Sequence, residues 1–201
     1  MKQKQEARTK FMVQAALLVA IIFVMAFTPL GYLRTPGLSI TFLPVPVAVG
    51  AILLGPAGGA VCGLAFGITS LLQSLSGAGF GAILLQINPL GTAFTCIVPR
   101  LLEGWLCGLV FRTVRRFSKN GSYLAASLSC PLLNTVLFMS ALVLIFYHTE
   151  YIQGLAAGLG VTNPLMFVVL FVGLQGLVEA GVCFVVASAV SRTLAGALKQ
   201  I

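Results

Sequence analysis

The stretch Ile40–Leu72, ITFLPVPVAVGAILLGPAGGAVCGLAFGITSLL, contains no Asp, Glu, Lys or Arg. Its strongest punctuation is Gly55-Pro56, a pair that interrupts a helix. A membrane-crossing helix needs about 20 apolar residues. The stretch therefore reads as parts of two spans, about Ile40 to Leu54 and about Ala57 to Leu75. Gly55, Gly59, Gly63 and Gly67 recur every four residues. In lipid, such a glycine face lets two helix backbones approach closely. The ladder is expected to pack this span against a neighbour in the same chain. The alternative is a groove for a helix of another protein.

The rest of the chain has the same character. Of its 201 residues, 59% are hydrophobic and only 8% charged, whereas a soluble domain carries about 25% charged residues. So few charges cannot cover a water-facing surface, which excludes a soluble enzyme or nucleic-acid binder. Disorder is excluded as well, since it requires low hydrophobicity. Further spans are expected at about Phe11 to Leu30, Leu90 to Phe111, Tyr123 to Tyr147 and Pro164 to Val190. The fold expected is an all-α integral membrane protein: one domain over residues 1–201, a bundle of six transmembrane helices. The start MKQKQEARTK precedes a long apolar run and reads as the flank of a retained first span, not a cleaved leader.

The basic residues orient the bundle. Lys2, Lys4, Arg8 and Lys10 precede the first span. Arg112, Arg115, Arg116 and Lys119 lie between spans four and five, and Arg192 and Lys199 follow span six. With six spans these three segments share one side, which the positive-inside rule makes cytoplasmic, together with both termini. They account for ten of the twelve basic residues, leaving Arg34 in an outer loop and Arg100 within a span. The net charge of +8 thus belongs to loops facing the cytoplasm rather than to a nucleic-acid surface. The five cysteines all fall in apolar stretches and form no CxxC pair, so they read as small packing residues.

Arg100, Glu103 and Glu179 are ionisable groups inside spans. At bilayer depth such groups must be paired or face a wet cavity, and they are functional candidates for that reason. A structural pair between Arg100 and Glu103, three residues apart, is the bland alternative. Helical rise places Arg100 roughly 18 Å from Arg112, Asn134 roughly 17 Å from Tyr123 and Glu179 roughly 20 Å from Arg192. Three helices thus bring polar side chains to one height, in the half away from the basic loops. Gln175 shares the face of Glu179, four residues earlier. Asn88 in the outer connection and Tyr32 in the first outer loop are candidates to approach from above. A guanidinium in a partly dry pocket favours a carboxylate, gripped bidentately. Asn134 and Gln175 suit amide or hydroxyl groups.

Covalent chemistry lacks its parts. There is no GxxxxGK(S/T) phosphate loop, no HExxH and no Asp, and the lone His148 lies in an outer loop. No resident cofactor or metal is expected. The sequence suits binding and passage rather than turnover, which argues against a membrane-embedded enzyme.

Nearly the whole chain resembles the substrate-binding S components of energy-coupling factor (ECF) vitamin transporters. The likeness rests on Ala16-x-x-x-Ala20 in span one, on the Ile40–Leu72 stretch, on IVPRLLEGWLCGLVFR in span four, on Asn134 in LLNTVLF and on Glu179 in LVEAGV. Pro99-Arg100, Asn134-Thr135 and the acid of span six look most like the pantothenate-type branch. Leu174-Gln175-Gly176 stands where that acid is usually preceded by asparagine-glycine. The resemblance implies a multi-pass protein of the bacterial plasma membrane that captures a vitamin from outside and topples to release it inside. It implies docking on a membrane coupling subunit, which carries two cytoplasmic ATPases. Ala16 and Ala20 would contact the coupling subunit; Arg100, Asn134 and Glu179 would line the pocket. Pantothenate is the first substrate expected, with another carboxylated vitamin such as folate behind it. A self-sufficient transporter coupled to protons through Glu103 or Glu179 is the competing expectation.

Overall fold

The computed structural model describes the backbone of residues 2–35, 38–77 and 79–198. Side chains are described there except at 2–4, 32–40, 79, 174, 175, 195 and 198. Helix α1 covers Lys2–Phe27, α2 Pro44–Leu75, α3 Gly79–Ile87, α4 Pro89–Val114, α5 Lys119–Phe146, α6 Glu150–Gly158 and α7 Pro164–Leu198. Strands β1, Tyr32–Thr35, and β2, Leu38–Thr41, form an antiparallel hairpin between α1 and α2, with Tyr32 opposite Thr41. Helices α1, α2, α4, α5 and α7 contain segments long and apolar enough to cross a membrane.

The architecture is helical as expected, with one short addition, a β-hairpin in the first connection. Ile40 is consequently strand, and α2 starts at Pro44, where a proline suits the first turn because no helical hydrogen bond is asked of its nitrogen. The connections around Gln86 and after His148 carry the short helices α3 and α6.

Helix α2 reverses at Gly55, whose φ of 75° and ψ of −169° belong to a region open essentially to glycine alone. Its two arms, residues 44–54 and 56–75, fold back on each other. Gly50 faces Cys62 and the carbonyl of Gly58, and Gly59 faces Ala51. The first arm rises about 16 Å, half of a 30 Å hydrocarbon core. Its upper half is replaced by the hairpin.

The glycine ladder packs within the chain. A Cβ on Gly59 would overlap the carbonyl of Gly104, and one on Gly63 the carbonyl of Arg100. One on Gly67 would lie 2.8 Å from Ile97 Cα, and one on Gly108 would lie 2.5 Å from Pro56 Cα. The second arm of α2 and α4 therefore run antiparallel in backbone contact. Helix α2 also touches α1, α3, α5 and α7, with α4 on α5 and α5 on α7.

This arrangement collects the described basic residues other than Arg34 and Arg100 at one end. Pairing Pro56 with Gly108 sets the Gly55 bend near Arg112. Arg192 Nη2 donates to the carbonyl of Asn120 at 3.3 Å, bringing the end of α7 to the start of α5. Gln73 Nε2 donates to the carbonyl of Ala26, so the far end of α1 meets the far end of α2. Arg8 and Lys10 accordingly lie at the basic end.

Two apolar clusters fill the interior. One runs along α1 to Ala26 and, toward the basic end, includes Val47, Ile52, Cys62, Cys107, Phe111, Cys130 and Ala187. At the opposite end, Leu84, Met139, Leu142, Phe146, Ile152 and Phe167 form the other. All five cysteines are buried and free, in keeping with their reading as packing residues.

Candidate functional site

Between the clusters lies a polar layer. On α5, Asn134 falls between Cys130 of one cluster and Met139 of the other; on α7, Glu179 falls between Cys183 and Phe167. Arg100, Asn134 and Glu179 are all buried, and Glu103 is fully so.

Arg100 is held from several directions. Its Nη1 donates to the Thr95 carbonyl at 2.6 Å. Its Cζ lies 4.1 Å from the ring centre of Phe138 on α5 and 5.4 Å from that of Phe66 on α2. Such contacts hold a cation by its face through the ring quadrupole. Gly63 presses on the Arg100 carbonyl, so the ladder that joins α2 to α4 also brings Phe66, three residues on, to the guanidinium. Asn134 lies one turn before Phe138 on α5. Its Oδ1 is buried without a hydrogen-bond partner among the described residues, a costly state unless a ligand or water completes it.

Glu179 meets the hairpin. Its Oε1 accepts the backbone N–H of Thr41 at 2.8 Å, and the hairpin base closes where Phe42 N–H donates to the Gly31 carbonyl at 2.9 Å. The half-length first arm of α2 thus leaves room for the hairpin to descend to the level of the polar layer. Glu103 lies within electrostatic reach of Arg100 and Glu179. Its Oε1 accepts from Cys130 Sγ at 3.2 Å, and its Oε2 has no hydrogen-bond partner among the described residues. The thiol on α5 therefore engages Glu103, for which the sequence left a pair with Arg100 as the alternative reading.

Asn88 is exposed and caps α4, its Oδ1 accepting the Gly91 N–H at 2.9 Å. The side chains of Tyr32 and Gln175 lie outside the described residues. Ala16 and Ala20 are exposed on the outer face of α1, beside Met12, Val13, Leu17 and Val24, while Ala15, Leu18, Ile22 and Ala26 turn inward.

Sequence reasoning missed Phe66 and Phe138, since an aromatic residue in an apolar helix has no contrast with its neighbours. It also missed Thr95, for which a signal was present. Proline has no N–H, so Pro99 cannot donate to the carbonyl four residues earlier, which is that of Thr95.

A family model described as "ECF transporter, substrate-specific component" matches residues 10–191. The chain belongs to this family of ECF substrate-specific components. The chain is also similar to "Pantothenate transporter PanT" of Leuconostoc mesenteroides subsp. mesenteroides, at 33% identity over 140 residues. That match covers 64% of the chain and 66% of the relative, slightly less than two thirds of the relative's length. As an ECF substrate-specific component the protein is a transporter subunit, not an enzyme. Its apolar helices make it a multi-pass protein of the cell membrane.

Proposed function

We propose that this ECF substrate-specific component captures a small carboxylated vitamin, pantothenate first among them, from the side opposite its basic end. The observation that carries this reading is the buried Arg100 guanidinium, fixed by the Thr95 carbonyl and two rings at the height of Asn134. A carboxylate is the anion that complements such a fork in a dry site. The open Asn134 amide oxygen suits a ligand hydroxyl or amide N–H. Pantothenate carries a carboxylate, an amide and two hydroxyls, and the similarity to a protein named a pantothenate transporter supports it. Glu179 and the hairpin would close the ligand in from the side, with Gln175 and Tyr32 as further contacts.

The basic end is cytoplasmic in this reading, with both termini inside, and the two arms of α2 count separately in a six-helix bundle. Uptake would be driven by a membrane coupling subunit with two cytoplasmic ATPases.

Calorimetry on the purified protein with pantothenate, folate and uncharged vitamins tests the ligand. Saturable binding of pantothenate is expected. Binding only of a vitamin without a carboxylate would overturn the proposal.

The exposed Ala16–Ala20 face would receive the coupling subunit, because small residues let a second helix approach. Ala16→Leu with Ala20→Leu should lower co-purification with that subunit and leave pantothenate affinity unchanged. Undiminished co-purification would remove this surface from the proposal.

A further inference from the structure

We infer that Pro99 is a positioning residue for anion capture: by lacking an N–H it frees the Thr95 carbonyl, which takes Arg100 Nη1 and aims the guanidinium. The inference rests on the proposed role of Arg100 in gripping a carboxylate.

The geometry is local and directional. In a regular α-helix each backbone N–H donates to the carbonyl four residues earlier. Within α4 the residue at 99 is proline, so the helical donor to the Thr95 carbonyl is missing. That carbonyl is buried with its residue, and leaving it unmet would be costly. Arg100 Nη1 meets it at 2.6 Å. Helical side chains lean toward the N-terminus, so an arginine directly after the proline can reach back along its own helix.

The consequence is preorganisation. One N–H is tied to the Thr95 carbonyl while the Phe138 ring holds a face of the cation at 4.1 Å. Together these fix the plane of the guanidinium before a ligand arrives. A carboxylate then binds without ordering a long flexible side chain, a cost that otherwise weakens binding. With alanine at 99, the restored N–H would compete for the Thr95 carbonyl, and the guanidinium would lose its tether to that carbonyl.

This separates affinity from stability. Pro99→Ala should keep or raise the melting temperature in detergent, since interior proline is the poorest helix residue. It should weaken pantothenate binding by about tenfold, as expected for one lost charge-assisted hydrogen bond. The affinity for the corresponding alcohol, which has no carboxylate, should not change. Phe138→Leu should also erode the preference for the acid over the alcohol, and Phe138→Tyr should restore it. Equal losses for acid and alcohol in Pro99→Ala would mark a merely structural role and overturn the inference, as would unchanged affinity for both. If Pro99→Ala does not fold, the two Phe138 variants decide: an unchanged preference in Phe138→Leu overturns it. Arg100→Ala separates the two levels. If that variant binds pantothenate like the wild type, the functional reading falls and takes this one with it. If Arg100→Ala weakens binding while Pro99→Ala does not, the positioning role alone falls.

Discussion

Arg100→Ala is expected to weaken pantothenate binding by about 100-fold, the equivalent of two charge-assisted hydrogen bonds worth about 1.5 kcal/mol each. Arg100 is the described cation of the polar layer between the apolar clusters. Its loss leaves the carboxylate desolvated without a matching charge. Arg100→Lys should recover little of the loss, because an ammonium cannot offer a planar fork or stack on Phe138 as the guanidinium does. Titration calorimetry of the wild type and both variants checks this. Wild-type affinity in Arg100→Ala would mean the guanidinium does not touch the ligand.

Gly63→Ala is expected to destabilise the bundle by about 3 kcal/mol, at the upper part of the usual range for overpacking. The added Cβ would overlap the Arg100 carbonyl and lie 2.9 Å from its carbon. Both obstacles are backbone, so no side chain can swing aside. The second arm of α2 would have to move off α4, taking Phe66 away from the guanidinium. The same substitution at Gly181 on α7, where a Cβ meets nothing within 4 Å, should be neutral or slightly stabilising. Thermal unfolding of the two variants in one detergent compares them directly. Equal melting temperatures would refute the claim that the ladder sets the α2–α4 distance.

The contrast between these residues explains how far the site could be read in advance. Arg100, Asn134 and Glu179 stand out because each interrupts an apolar helix with a polar group. Helical rise alone could then set them at one height. Phe66 and Phe138 had no such contrast, although they hold the cation. Asn88 looked available for a ligand, but its side chain is engaged in capping α4, a use that polar residues before a helix commonly have. The Gly55–Gly67 ladder declared a close approach, and α4 is the partner it found within the chain.

Hydropathy, helix length and the distribution of Lys and Arg are sums over neighbouring residues, so the membrane class, the positions of the long helices and the basic segments follow from the amino-acid order. The reversal of α2 was legible too, because Gly55-Pro56 acts on its own backbone. The half-length first arm, the hairpin descending beside α7 and the use of Glu179 to hold the Thr41 N–H were not legible. Thr41 and Glu179 are 138 residues apart, and an acceptor meets a particular donor only after the intervening helices have packed. Their meeting was settled by tertiary structure, where a buried carboxylate and a backbone N–H each lower the cost of the other's desolvation.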